Sequence, residues 1–231
     1  MLKSFPVTKR PRQRLLVFAR VPELGKVKTR VASEIGLDRA LRLYQSMLAD
    51  LLESMGASSD GIEIEVLWTA ESDVSGEILA HWFGDLETAE QSGRDLGERM
   101  TVAISERIFF HGAEKIVVIG TDDPTLSRPQ IELCFRILDG CEWVVGPAED
   151  GGYYLIGCRN RAFTPAVFEG IEWGASTVFE STLDRIRHKA ASVTILPRRS
   201  DIDRAEDLRT LPPDRTSPRV GQTLREWGWI S

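Results

Sequence analysis

Leu15-Leu16-Val17-Phe18-Ala19-Arg20-Val21-Pro22-Glu23-Leu24-Gly25-Lys26-Val27-Lys28-Thr29-Arg30 is the stretch on which the reading of this chain turns. Its first five residues form an unbroken apolar run, the pattern of a strand covered on both faces. A polar loop with Pro22 and Gly25 follows. From about Asp38, Leu41, Tyr44, Met47, Leu48, Leu51, Leu52 and Met55 then recur at helical spacing until Gly56 ends the helix. A buried strand, a loop and an amphipathic helix in that order make the first half of a βαβ unit.

The alternation continues outward. Ile62, Ile64 and Val66 run into Leu67-Trp68 as a second strand, and helices are predicted over about 74–83 and 96–109. Ile116-Val117-Val118-Ile119 reads as a third buried strand, followed by a helix capped by Ser127 with Pro129 in its first turn. Trp143-Val144-Val145, Tyr153-Tyr154-Leu155-Ile156, a helix near 177–188 and Val193-Thr194-Ile195-Leu196 complete the series. Strands alternating with helices imply a mainly parallel sheet with right-handed crossovers. In such sheets ligands bind beyond the carboxyl ends of the strands. The strand-end loops are therefore the ones to read for chemistry.

The 231 residues suit one domain at 15–211, with a flexible basic tail at 1–14 and a C-terminal extension at 212–231. Trp227, Trp229 and Ile230 in that extension would dock on its own core or on a partner. A composition of 42% hydrophobic and 28% charged residues is that of a globular protein able to bury a core without disulfides. A net charge of −6 argues against non-specific binding to nucleic acid or anionic membrane. The three cysteines form no CxxC pair, and the three histidines are scattered. Neither a disulfide framework nor a His/Cys metal cluster is expected, and a reducing, cytoplasmic setting is. The apolar run at 15–19 is too short for a signal sequence or a membrane span.

Four loops carry candidate chemistry. In the first, Gly25 lets backbone approach an anion, and Lys26, Lys28 and Arg30 place three cations within five residues at a helix start, a pattern favouring phosphate over a merely solvated basic face. It is neither a P-loop nor GxGxxG. In the second, Gly120-Thr121-Asp122-Asp123-Pro124, adjacent acids repel unless a cation or hydrogen bonds compensate them, although Asp-Asp-Pro is also good turn chemistry. Adjacent residues point to opposite faces, so only one acid need face a ligand. In the third, Gly151-Gly152 permits tight backbone beside a bulky ligand, with Glu149 or Asp150 as base, or else simply forms a hairpin turn. In the fourth, Asp201 and Asp203 would share one face of extended chain, while Asp203 with Glu206 also fits a helix capping box.

Taken together, Phe18 to Arg30, Asp95-Leu96-Gly97-Glu98-Arg99-Met100, Gly120 to Pro124, Gly146 to Gly157, Glu172-Trp173-Gly174 and Asp201-Ile202-Asp203 resemble the bacterial family of nucleotide-diphospho-sugar transferases. Some members of that family are labelled arsenosugar-biosynthesis glycosyltransferases. The resemblance spans residues 15 to about 208. It implies a three-layer, Rossmann-like GT-A fold that moves a sugar from a nucleotide-diphosphate sugar to a small-molecule acceptor. By a looser similarity to nucleotidylyltransferases, it implies a divalent metal, Mg²⁺ or Mn²⁺, held by Asp122 and Asp203. Gly25, Lys26, Lys28 and Arg30 are then the phosphate-binding candidates, and Gly93 to Arg99, with Arg94 and Asp95, would contact base or ribose by position alone. Asp150, or else Glu149, would activate the acceptor, with Gly151, Gly152 and Trp173 in a substrate loop. The family carries a small residue at position 123, and Asp123 departs from it. Two other readings compete: a nucleotidylyltransferase joining a nucleoside triphosphate to a phosphorylated small molecule, and a nucleotide-sugar-binding protein without catalysis.

Overall fold

The computed structural model describes residues 13–57, 61–211 and 217–230. Its strands are β1 (Gln13–Arg20), β2 (Ile62–Thr69), β3 (Glu87–Glu90), β4 (Lys115–Ile119), β5 (Trp143–Pro147), β6 (Tyr153–Arg159) and β7 (Val193–Ile195). They form one seven-stranded sheet in the order β3-β2-β1-β4-β6-β5-β7. β6 is antiparallel to β4 and β5, and the remaining neighbours are parallel. The short turn at 148–152 explains the exception, because a tight turn can join only antiparallel strands.

Period-two alternation in β1 sends its side chains into two different cores. Leu15, Val17 and Ala19 pack under α2 (Leu37–Met55), α3 (Gly76–Phe83) and α5 (Arg128–Gly140). Leu16 packs on the opposite face, under α4 (Leu96–Phe109) and α6 (Val178–His188). The result is the three-layer α/β fold expected from the sequence. A third apolar cluster lies outside α2, where Val31 of α1 (Thr29–Ile35), Leu208 of α7 (Ala205–Thr210) and Val220 and Leu224 of α8 (Pro218–Glu226) meet Leu43 and Met47.

Several elements were not foreseen. β3 is an edge strand, and its Glu-Thr-Ala-Glu sequence buries no residue, so it lacked an apolar signal. α1 lies in what reads as a polar loop and is set off from α2 by Gly36 at φ 90°. Gln13 and Arg14, assigned to the tail, begin β1. Arg14 is buried and pairs with Glu63, with Glu65 at 3.1 Å and with Glu87 at 3.2 Å. Residues 1–12 of the expected tail lie outside the described residues. In the C-terminal segment, buried Asp50 of α2 accepts from the backbone N–H of Arg219 at 2.9 Å and of Val220 at 3.0 Å. That carboxylate supplies two of the donors at the start of α8 with a partner and seats the helix on its own core.

Candidate functional site

The loops at 20–28, 120–127, 148–152 and 196–204 all leave the same edge of the sheet, the carboxyl edge of the parallel strands. Two cavities open there. A cleft of about 680 Å³ is lined by Gly25, Lys26, Lys28, Arg30, Asp122 and Asp203, together with Arg20, Glu71, Gln91 and Arg99. Five cations against three acids line it, so the cleft is electropositive within an acidic protein. A larger cavity of about 950 Å³ lies on the far side of the β7–α7 loop. Asp50, Asp123, Glu149, Asp201 and Asp207 outnumber Arg198 and Arg199 in its wall. Its sign is wrong for a polyanion, and the smaller cleft is the one that fits a diphosphate.

The first loop delivers its cations to the acidic loops directly. Gly25 (φ 74°) and Lys28 (φ 47°, ψ 45°) are both left-handed, so the chain turns sharply before α1. The Lys28 side chain is only 4% exposed, and its Nζ donates to Asp122 Oδ1 and to the Ile202 carbonyl, each at 2.5 Å. Arg30 pairs with Asp203, which raises the Arg30 pKa. Ile202 N–H donates to the Asp122 carbonyl at 3.1 Å, so the second and fourth loops are also joined through backbone. α1 is short, and the cations rather than a long helix dipole make this end positive.

Asp122 and Asp123 point to opposite cavities, as adjacent residues should. Asp123 is 5% exposed. It accepts from Thr125 N–H (2.9 Å) and Oγ1 (2.6 Å) and is gripped by Arg199. The residue that departs from the family pattern thus has its own partner and does not compete for the cleft. Asp201 and Asp203 do not share a face as expected: Asp201 lines the larger cavity and Asp203 the cleft. Burial first, and then the charges of Asp122 and Asp150, push the Asp201 carboxyl up to about 7. The capping box is also displaced. Arg204 is the N-cap of α7, and Asp207 rather than Glu206 accepts from the N–H groups of Asp203 (2.8 Å) and Arg204 (2.6 Å). Asp203 is therefore no cap, and its carboxylate is turned to Arg30.

Asp122 and Asp203, 56% and 42% exposed at the side chain, could take a divalent cation in the cleft, where Glu71 is the third carboxylate. No group of three or more His, Cys, Asp or Glu among the described residues could hold a metal by itself. Mg²⁺ is usually held by one or two carboxylates with substrate phosphates completing its shell. The donor set is compatible with the metal, although a lysine ammonium already sits on one of its oxygens.

The other candidates do not line the cleft. Arg94 is exposed and forms a bidentate pair with Glu98, which it holds down at about 2. Asp95 is the N-cap of α4, accepting from Glu98 N–H at 2.9 Å. Trp173 packs edge-on against Tyr153 with ring centroids 6.5 Å apart, and so close to Gly97 that a Cβ there would lie 2.6 Å from the indole. Gly151 (φ 92°) is needed for a close approach to protein, since a Cβ would lie 2.0 Å from the Ser176 carbonyl. Gly152 N–H donates to Asp150 Oδ1 at 2.8 Å, closing the hairpin turn, and both acids of this turn are exposed. Asp150 acts electrostatically on Arg30, whereas Glu149 lines the larger cavity.

Two cleft features, at Tyr44 and Gln91, went unread in the sequence, whereas Arg99 belongs to the stretch at 93–99 expected to meet base or ribose. Buried Tyr44 donates from its hydroxyl to the Arg20 carbonyl (3.0 Å), accepts from Arg20 N–H (2.9 Å), and lies 3.3 Å from Thr121 Oγ1. Burial raises its pKa to about 12. At helical spacing it is indistinguishable from a core residue. Gln91 Nε2 donates to the carbonyls of Leu67 (2.7 Å) and Ala19 (3.3 Å), and Arg99 Nε to the Gly93 carbonyl (3.2 Å). Arg99 was within a quoted motif, while Gln91 sits at the end of the unforeseen edge strand.

A family profile described as "uncharacterized protein conserved in bacteria (DUF2064)" matches residues 54–175. The chain belongs to the DUF2064 family. This DUF2064 protein is also similar to the solved structure of a "putative nucleotide-diphospho-sugar transferase" from Desulfovibrio desulfuricans, at 32% identity and a TM-score of 0.85, covering 93% of this chain and 94% of that one. A cytidylyltransferase from Leptospira borgpetersenii matches at 16% identity and a TM-score of 0.55 over 94% of this chain and 95% of that one. A 4-diphosphocytidyl-2C-methyl-D-erythritol synthase from Anaerococcus prevotii matches at 11% identity and 0.53, over 84% and 94%. The last two likenesses place the DUF2064 protein in a shared Rossmann-like fold and say nothing of activity. No curated protein matches the sequence. Among the described residues, no helix is long and apolar enough to cross a membrane.

Proposed function

We propose that this protein is a glycosyltransferase that moves a sugar from a nucleotide-diphosphate sugar to a small-molecule acceptor. The observation that carries the reading is the pairing of Lys28 with Asp122 and of Arg30 with Asp203 inside an electropositive cleft of about 680 Å³. Cations and carboxylates alternating at a sheet's ligand-binding edge suit a diphosphate bound with a metal. The similarity to the Desulfovibrio protein supports the same ligand class.

In this reading Lys26, Lys28 and Arg30 receive the diphosphate oxygens and stabilise the charge that grows on the leaving group. Asp122 and Asp203 would hold a divalent cation, which would supply Lewis-acid stabilisation of that same group. The nucleoside lies toward Gln91 and Arg99 at the β2–β3 side of the cleft. Asp150, exposed at the turn beside Arg30, takes the proton of the acceptor hydroxyl, and Glu149 is less suited because it faces the other cavity. The first loop has Pro22-Glu23-Leu24 in place of a Gly-Gly-rich stretch, which counts against nucleotidylyl transfer.

A panel of nucleotide sugars and nucleoside triphosphates, with and without Mn²⁺, tests the proposal by melting temperature and product release. Metal-dependent release of nucleoside diphosphate is expected. Release of pyrophosphate with a phosphorylated acceptor would instead establish nucleotidylyl transfer, and ligand binding without turnover a binding protein.

A further inference from the structure

We infer that Lys28 is a built-in counter-cation for Asp122, drawn away by the diphosphate of the ligand so that the carboxylate opens to metal. The inference rests on the functional reading above. Among the three cations of the first loop, Lys28 alone is withdrawn from solvent: its side chain is 4% exposed, against 64% for Arg30, and Lys26 is also exposed. A lysine ammonium is strongly hydrated and gives up water only for compensating charge and hydrogen bonds. Here it takes Asp122 Oδ1 and the Ile202 carbonyl, both at 2.5 Å. Carboxylate and backbone carbonyl oxygens are also the hard donors that Mg²⁺ and Mn²⁺ prefer. The ammonium and a metal ion therefore compete for the same carboxylate.

The competition has a route of release. The rest of Asp122 is open to the cleft, at 56% exposure, and the four-carbon stem of Lys28 lets the ammonium move while its backbone stays in place. Leaving Asp122 without a replacement anion is costly, because two opposite charges are separated in a partly desolvated site. A diphosphate in the cleft is that replacement. Metal alone must displace the lysine, whereas metal arriving with diphosphate does not. The two ligands are then positively coupled, and the coupling is reciprocal. Arg30 and Asp203, both exposed, form a pair that opens at little cost and need no such exchange.

The test is Mn²⁺ alone, titrated into the whole protein and followed by the electron paramagnetic resonance signal of free Mn²⁺. Lys28→Met is expected to bind Mn²⁺ about tenfold or more tightly than wild type, and adding Asp122→Asn to that variant should abolish the gain. Lys28→Gln serves the same purpose if the methionine variant fails to fold, and Lys28→Arg, which keeps the charge, should show no gain. In the presence of ADP, CDP, GDP or UDP, whichever binds, wild-type Mn²⁺ affinity should rise well beyond that of a nucleotide-only control. The rise should be smaller in Lys28→Met. Equal Mn²⁺ affinity in wild type, Lys28→Met and Lys28→Gln would overturn the counter-cation role even if Asp122 proved to be a metal ligand. Metal-dependent diphosphate binding that survives Asp122→Asn would instead sink the functional assignment of Asp122, whatever Lys28 does.

Discussion

Arg199 reaches from the loop after β7 to grip the carboxylate of Asp123, a buried residue in the loop after β4. The same guanidinium lies 5.5 Å from the centre of the Tyr154 ring and donates to Thr125 Oγ1 at 2.5 Å. The backbone of Arg199 is also engaged: its N–H donates to the Pro147 carbonyl at 3.1 Å, and its carbonyl accepts from Glu149 N–H at 3.0 Å. Three strand-end loops are thereby held in one arrangement, beside the cleft but outside it. Removing one partner of a buried pair costs about 3–5 kcal/mol because the other charge is left without compensation. Asp123→Ala should therefore lower the melting temperature by roughly 6–20 °C, read by calorimetry or circular dichroism. A change of a degree or two would show that the pair is dispensable.

That pair also shows where sequence reading stops. Strands buried on both faces announce themselves as apolar runs, which is why β1, β4 and β5 were legible from Leu15, Ile116 and Trp143 onward. The placement of the acidic loops followed, since topology alone puts strand ends at one edge. β3 was silent because an edge strand buries little, and Tyr44 because a core-facing helix position and a loop-pinning hydroxyl look alike in sequence. Asp95 stood in a family motif and Arg94 beside it, yet their chemistry is spent on the start of α4. Which of two adjacent acids meets the cleft depends on long-range partners such as Lys28 and Arg199, and no local pattern encodes those.

The two glycines of the β5–β6 turn should respond differently to the same methyl group. A Cβ on Gly151 would meet the Ser176 carbonyl at 2.0 Å and force φ 92° on an L-residue. Gly151→Ala should cost on the order of 3 kcal/mol or more and show poor soluble yield. At Gly152 the nearest atom is the end of the Asp150 side chain, at 3.2 Å, so Gly152→Ala should stay within about 1 kcal/mol of wild type in urea denaturation. Equal costs would mean that the turn packs against the 174–177 segment differently from the structure.

Arg30 offers a separation of binding from stability. Its pair with Asp203 is exposed on both sides, and such pairs contribute little to folding. A charge-assisted bond to a diphosphate is worth about 1.5–3 kcal/mol. Arg30→Ala should then weaken nucleoside diphosphate binding roughly tenfold to hundredfold in calorimetry, with an almost unchanged melting temperature for the free protein. Unaltered affinity would return the first loop to a solvated basic surface.

Asp122 and Asp203 give the sharpest test of the metal assignment, because both line the cleft and neither caps a helix. A nucleoside diphosphate with saturating Mn²⁺, at about 100 times its dissociation constant, stabilises the folded state by roughly 2.7 kcal/mol. In a chain of this size that corresponds to roughly 5–11 °C in melting temperature. Asp122→Asn and Asp203→Asn should each remove most of the metal-dependent part of that gain while leaving the secondary structure intact. The two variants should differ in the free protein. Asp203→Asn loosens an exposed pair, whereas Asp122→Asn leaves the buried ammonium of Lys28 without its counter-charge and should be the less stable of the two. Asp207→Ala is the control: it strips the acceptor shared by the Asp203 and Arg204 N–H groups, so it should lower stability by about 1 kcal/mol and keep the full metal effect. If Asp203→Asn behaves like that control, the carboxylate that meets the metal opposite Asp122 has to be sought elsewhere, with Asp150, exposed on the same edge of the sheet, and Glu71 of the cleft wall as the next candidates.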